Sequence, residues 1–529
     1  MLGLIRTACD EGALHVSAAR ASPRCASQTK RWILAATILA SSMAFIDGSV
    51  VSVALPALQA DLRTSLRGSQ WVVNAYMLTL GALILLGGAA GDRYGRRRIF
   101  SLGIVVFSLA SIACGLAPNV ESLIVARAVQ GIGGALMVPE SLAIISASFP
   151  EEERGRAIGT WAGFSALTTA LGPVFGGWLV DTSSWRMIFF VNVPLGILAL
   201  AVAFWRVPES RDDEAPHSVD WRGGALVTLA LGALAFGLTI ESDRGWSHPL
   251  VLGTVLGSVP LFVAFVWWQK RAPAPMMPLR LFESRQFSGA NAVTLLLYFA
   301  LGGALFFVPF DLIGVEGYSA MGAGAAFLPF TLIMGVLSRW SGALTTRYGV
   351  RRPLILGPII VAVGLALCAI PHIGQSYWSG FFPAMIVLGF GMAVSVAPLT
   401  TTVMQSTEAR HGGVASGINN ATARVAGMLA VALLGAIAVG ELRTTLDARL
   451  ASAQVPTQIR EALRIEASKL AQAQVPRMQD ERERERLARV LQESFVDSFR
   501  VVMLIASGLA LLGAGCAALT IHDARPGRP

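Results

Sequence analysis

The chain has 529 residues, 54% of them hydrophobic and only 14% charged, with a mean hydropathy of +0.60. A soluble domain carries roughly 25% charged residues, so this composition excludes a water-soluble globule and points to a polytopic membrane protein. The net charge of +9 does not signal nucleic acid, because the basic residues sit in short clusters between apolar runs, where they set topology.

In chain order, residues 1–31 are mixed and polar and lack the apolar core of a signal peptide, so a disordered cytoplasmic tail is expected. Apolar runs of about 20 residues follow, each long enough to span. They lie at 32–56, 69–90, 99–117, 122–148, 155–181, 186–207, 221–241, 249–270, 287–313, 321–346, 353–371, 379–405, 411–440 and 499–521. With the N-terminus inside, inner segments carry about 24 Lys and Arg and the short outer loops about four, the asymmetry of the positive-inside rule. The exception is 441–498, a long polar outer segment whose "DERERERLARVLQESF" predicts a short solvated helix. Its length and charge make it a candidate docking element for a periplasmic adaptor.

Gly88 to Gly103, "GAAGDRYGRRRIFSLG", returns as "GALTTRYGVRRPLILG" from Gly342 to Gly357, with roughly nine of sixteen positions identical. "GIGGALMVP" from Gly131 returns as "GFGMAVSVAP" from Gly389, and Gly155, Ala157 and Gly159 return as Gly413, Ala415 and Gly417. Residues 32–207 and 287–521 therefore read as parallel six-helix half-repeats, with a linker and an inserted two-helix hairpin at 208–286 and a cytoplasmic tail at 522–529. Such symmetry is typical of secondary transporters, with substrate held between the halves.

Several side chains carry chemistry. Asp47 lies inside the first span, where an ionisable group is costly and by default functional; a packing carboxyl bonded to neighbouring helices is the other reading. After the second span, Gly88 and Gly95 allow a tight turn. Asp92 is suited to a nearby helix N-terminus, and Arg93, Arg96, Arg97 and Arg98 hold the loop inside. In the fourth span Arg127 needs a carboxylate or carbonyls, with Asp47 and Glu140 as candidate partners. Glu140 reads as a substrate-facing anion, a second protonation site, or a wetted residue near the inner surface. In the fifth span Pro173 bends the helix, and Gly172, Gly176 and Gly177 admit a close neighbour. Asp311, near the outer end of the ninth span, reads as an attractor of cations at the outer mouth or as an interfacial charge. Trp71, Tyr76, Tyr298, Phe306, Phe307 and Phe310 line a cavity or pack between helices. Five cysteines and six histidines are scattered without metal or redox spacing, so neither a metal nor a cofactor is expected.

These phrases resemble the major facilitator superfamily, specifically its fourteen-span drug:proton antiporter branch, over about residues 30–440 and 499–521. The resemblance implies an all-α polytopic membrane protein of the major facilitator fold: two six-helix half-repeats plus an inserted hairpin. It implies that Gly88, Asp92, Arg93, Gly95, Arg96 and Arg97 form a conformational latch, made asymmetric by Thr346 in the second copy. It implies proton coupling through Asp47, Arg127 and, outside the usual pattern, Glu140. "LGPVFGG" resembles the antiporter motif associated with export, and Arg424 resembles an arginine of this branch, which with Asp311 is expected as a substrate or outer-mouth contact. The expected activity is proton-driven efflux of small amphipathic drugs by a non-enzyme, working as a monomer. Export of an endogenous metabolite is the alternative, and a membrane receptor or enzyme a remote one. No Walker motif is present, so ATP is not the direct energy source. Arg- and Ala-rich usage points to a bacterial cytoplasmic membrane, with both termini cytoplasmic.

Overall fold

A computed structural model describes residues 23–211, 218–337, 349–370, 373–406, 412–452, 455–467, 470, 473, 475 and 481–522. Among the described residues there is no strand, and 14 helices are long and apolar enough to cross a membrane. Helices satisfy their own backbone groups in lipid, which is why an apolar chain of this length folds this way.

The first half comprises α1 (Pro23–Asp61), α2 (Leu66–Tyr94), α3 (Arg96–Gly115), α4 (Val120–Ser148), α5 (Glu151–Thr182) and α6 (Met187–Arg206). A hairpin follows, α7 (Trp221–Arg244) and α8 (Pro249–Arg271). The second half holds α9 (Arg285–Gly314), α10 (Ala320–Leu337), α11 (Arg351–Cys368), α12 (Phe381–Gln405) and α13 (Gly412–Ser452). It ends with the short α14 (Thr457–Glu466) and the last spanning helix, α15 (Glu481–Thr520). With fourteen spans, α1 starts and α15 ends on one face, here the terminal face; the opposite side is the far face. Side chains such as Leu109, Phe204 and Val263 point outward and are more than half exposed, the surface a bilayer would cover.

The sequence repeat is a structural repeat. In the first half α3 and α4 cross where Gly103 meets Gly133, and a Cβ on Gly133 would fall 2.5 Å from the Phe107 nitrogen. In the second half α11 and α12 cross where Gly357 meets Gly391, and a Cβ on Gly391 would fall 2.7 Å from the Val361 nitrogen. Small residues let backbones approach this closely where lipid offers no hydrophobic drive between helices. Gly103 and Gly357 end the two copies of the repeated phrase, so the duplication preserves a helix crossing. Residues 338–348, including Thr346 of the second latch copy, lie outside the described residues.

The halves meet along α2 and α13, and again at α5 and α10. The hairpin packs on α2 and α13, over the seam between the halves: Trp71 meets Phe236 in a tilted ring contact with centroids 6.0 Å apart. Asp220 ties the hairpin's base. It caps α7 through Gly223 N–H at 2.8 Å and accepts from Trp268 Nε1 at 2.7 Å and Gln269 Nε2 at 2.6 Å.

Two stretches differ from expectation. α1 already begins at Pro23, within the segment expected as tail, whereas residues 1–22 lie outside the described ones. In the 441–498 segment the short helix that is present is α14, and the charged repeat, expected as a short solvated helix, is the start of the long α15. α13 runs 41 residues, about 60 Å at 1.5 Å per residue, and α15 begins at Glu481 and continues unbroken into the membrane. The charged repeat has a buried stripe: Leu487, Leu491 and Phe495 pack with Leu446, Leu450 and Leu463. Arg449 of α13 locks the two long helices, donating to Glu493 at 2.6 Å and Asp497 at 2.7 Å.

Candidate functional site

Asp47, Arg127 and Gln130 come together inside the first half. Asp47 is 0% and Arg127 1% exposed. Arg127 Nη1 donates to Asp47 Oδ2 at 2.5 Å and to Gln130 Oε1 at 2.7 Å, and its Nε donates to the Val72 carbonyl at 3.1 Å. Gln130 Nε2 donates to Asp47 Oδ1 and to Ser111 Oγ, both at 2.8 Å. Asn192 Nδ2 reaches Asp47 Oδ1 at 3.4 Å. The guanidinium lies 4.2 Å from the Tyr76 ring centroid and 5.7 Å from that of Phe189. The carboxylate of α1 is held directly by α4 and α6, and through Arg127, Gln130 and Asn192 the network extends to α2 and α3. Two charges taken out of lipid and water are tolerable only when paired and hydrogen-bonded on every side, and this pair is. Arg127 and Gln130 share a face of α4 because they are one turn apart. Arg127 was legible in the sequence as a buried cation in need of partners; Gln130, Ser111 and Asn192 were not singled out, since nothing local marks a polar amide or hydroxyl as facing a distant carboxylate.

Glu140 is not a partner of Arg127. The two lie thirteen residues apart on one helix, about 20 Å along its axis at 1.5 Å per residue. Glu140 is fully buried, and neither carboxylate oxygen has a hydrogen-bond partner among the described residues. It presses on Gly91, where a Cβ would fall 2.1 Å from the carboxyl carbon. Glu140 is therefore enclosed by protein in this conformation, although it lies toward the terminal face at the level of Gly91.

The turn at Gly95 has φ +109°, a conformation favouring glycine. Arg96 donates from Nε at 3.0 Å and Nη2 at 2.7 Å to Asp92 Oδ1. The helix N-terminus here is served by a different acid. Glu209 Oε1 accepts from the Arg97 backbone N–H at 3.0 Å, while Arg97 Nη1 donates to the Val207 carbonyl at 3.1 Å. Asp92 therefore holds a side chain, and Glu209, which the sequence reading did not single out, caps α3. Gly88 lies against Pro139 of α4, and Arg93 stacks on Tyr94 at 5.2 Å.

The α5 motif is the tightest junction. A Cβ on Gly176 would overlap Val50 of α1, and one on Gly172 would overlap Ser49. A Cβ on Gly177 would fall 2.4 Å from the Ala320 carbonyl oxygen, and one on Gly324 2.2 Å from that of Pro173. Beside them Asp181 accepts from the backbone N–H groups of Ala320 at 3.0 Å and Met321 at 2.8 Å. A carboxylate at the start of α10 fixes the far-face closure between the halves. Asp311 is 3% exposed at the far-face end of α9, so it presents no charge to an open mouth here. Phe306, Phe307 and Phe310 are buried against one another, which decides for packing. Arg424 of α13 stands at the seam with α2, its Cβ 3.2 Å from where a Cβ on Gly81 would be.

Residues 37–431 match the family model described as Major Facilitator Superfamily. The chain belongs to the major facilitator superfamily. It is 33% identical over 494 residues to the tetracenomycin C resistance and export protein of Streptomyces glaucescens, covering 92% of this chain and 91% of that one. It is 34% identical over 494 residues to the multidrug resistance protein Stp of Mycobacterium tuberculosis (strain CDC 1551 / Oshkosh), covering 91% and 90%. The puromycin resistance protein pur8 of Streptomyces alboniger is 35% identical over 413 residues, covering 77% of this chain and 82% of that one. Among solved structures, a bacterial homolog of the human lysosomal transporter Spinster superposes with a TM-score of 0.62 at 17% identity, covering 96% of this chain and all of that one. The major facilitator fold, a multi-pass position in the membrane and transport of small molecules follow for this chain.

Proposed function

We propose that the chain is a proton-driven exporter of small amphipathic compounds of the drug and antibiotic class. Its termini lie in the cytoplasm and its spans in a bacterial cytoplasmic membrane. The carrying observation is the knot around Asp47, a titratable group whose charge state is felt by five helices at once. A proton taken by Asp47 removes the negative partner of Arg127 and leaves the guanidinium to Gln130 and the Val72 carbonyl. The helices bound to that network, α1, α2, α3, α4 and α6, then settle differently, and the halves rock about the space between them. The Asp92–Arg96 turn and the Asp181–α10 cap mark the two faces at which this motion opens and closes. Relatives named for resistance to antibiotics, aligned over nine-tenths of the chain, support the substrate class. The word "export" in the first relative's name equally supports release of a compound the cell itself makes; cavity and coupling would be the same.

The test is proton movement in proteoliposomes carrying an internal pH dye, with a panel of cationic, neutral and anionic compounds. Wild type should couple to some of them. Asp47→Asn should lose coupling while still binding the same compounds. Normal coupling in Asp47→Asn, with the variant folded by thermal melting, sinks the role of Asp47. Absence of proton flux in wild type with every compound counts against proton antiport.

A further inference from the structure

Arg424 is a permanent cation near mid-depth, since its Cβ faces Gly81 at the middle of α2. Its neighbours belong to both halves: α2 on one side, α9 and α13 on the other. It is partly accessible, yet its Nε is wholly enclosed and has no hydrogen-bond acceptor. No carboxylate pairs with it among the described residues. The titratable side chains nearest it are the phenols of Tyr76 and Tyr298.

The charges around it do not balance. Asp47 is taken by Arg127. Glu140 lies toward the terminal face, beside Gly91. Asp311 is thirteen residues from Tyr298 along α9, about 20 Å away at 1.5 Å per residue. Asp181 is held at the far face by α10. At the depth of Arg424 the first half therefore contributes an ion pair that is already closed, and no acid among the described residues stands beside Arg424. Intramembrane arginines ordinarily pair with acids or carbonyls, and a ligand carrying an acidic group would meet that need where the described residues supply no acid.

We propose that Arg424 anchors an acidic group of the transported compound. The substrates of this chain are then amphipathic organic anions: an apolar body bearing an ionised carboxylate, phenolate or sulfonate. The planar guanidinium presents a fork of donors suited to such a group, and it stands on the seam of α2 and α13, where the two halves meet. This rests on the export reading, which it narrows from amphipathic compounds in general to anions.

The test uses the full chain, purified in detergent, and one apolar body with three charges: anthracene-9-carboxylate, anthracene-9-carboxamide and anthracen-9-ylmethylammonium. Binding is measured by calorimetric titration. Wild type should bind the carboxylate at least tenfold more tightly than the ammonium, with the carboxamide between. Arg424→Gln should abolish that order, and Arg424→Lys, which keeps the charge, should preserve it; thermal melting checks that each variant is folded. A wild-type order in which the carboxylate is not first, or no binding by any of the three, overturns the proposal without any variant. So does a folded Arg424→Gln protein that retains the preference. The measurement needs no gradient, so an intact ranking without proton-driven transport would sink the export reading alone.

Discussion

Asp47 and Arg127 are residues whose chemistry a sequence announces and whose pairing it does not. An aspartate and an arginine inside apolar runs had to find partners, and Arg127 had two carboxylates to choose from. Depth decided: Glu140 sits on the same helix too far along its axis, while Asp47 arrives from α1 at the right level. Glu140 is the residue whose surroundings were least legible, because what defines it is the absence of any donor and the hydrogen atom of Gly91 facing it. Gly91→Ala is expected to lower stability by about 1–3 kcal/mol, the usual cost of overpacking, through collision with the Glu140 carboxyl. Adding Glu140→Ala should restore part of the loss. Thermal unfolding of the single and double variants in detergent measures this, and strictly additive losses would show that the two residues do not meet.

At the scale of elements, spans were legible and their ends were not. The hydropathy of twenty residues places a helix in the bilayer, but nothing local stops α13 at the surface, and it continues as a polar helix with one buried stripe. The hairpin shows the same division. Its two apolar runs are evident, whereas its attachment depends on Asp220, which looks like a plain loop acid. Burial pushes the Asp220 carboxyl upward, but hydrogen bonds from Trp268, Gln269 and the backbones of Gly223 and Met276 outweigh it and hold the group below its ordinary range. Asp220 therefore contributes stability above the unfolded value of about 4, and that contribution fades as pH falls below it, through the lowered folded value. Melting of the wild type should drop on acidification from pH 5 to pH 3 by more than that of Asp220→Asn, which starts lower and loses less. Parallel profiles for the two would disprove the assignment.

At the scale of the whole molecule, the conformation is set by contacts between halves that share no local sequence signal. The far-face ends of α5 and α10 are closed by glycine-to-carbonyl packing and by Asp181 on the first turn of α10. If the halves rock, this junction must part in every cycle. With the five native cysteines replaced, cysteines at positions 181 and 321 should cross-link on oxidation, halt transport, and release it on reduction. Transport that continues in the fully cross-linked protein would mean that this face does not open.

The sequence by itself determined the class, the number of spans, the duplication and the phrases that carry the family likeness. These rest on composition, on twenty-residue hydropathy and on self-similarity, all of which are properties of short stretches. Tertiary structure alone decided that Asp47 rather than Glu140 holds Arg127, that Glu209 rather than Asp92 caps α3, and that Arg424 has no acid beside it among the described residues. Those outcomes depend on the depth at which one helix passes another. Depth is set by glycine crossings such as Gly103–Gly133 and Gly357–Gly391, where the absence of a side chain lets two backbones come as close as geometry allows.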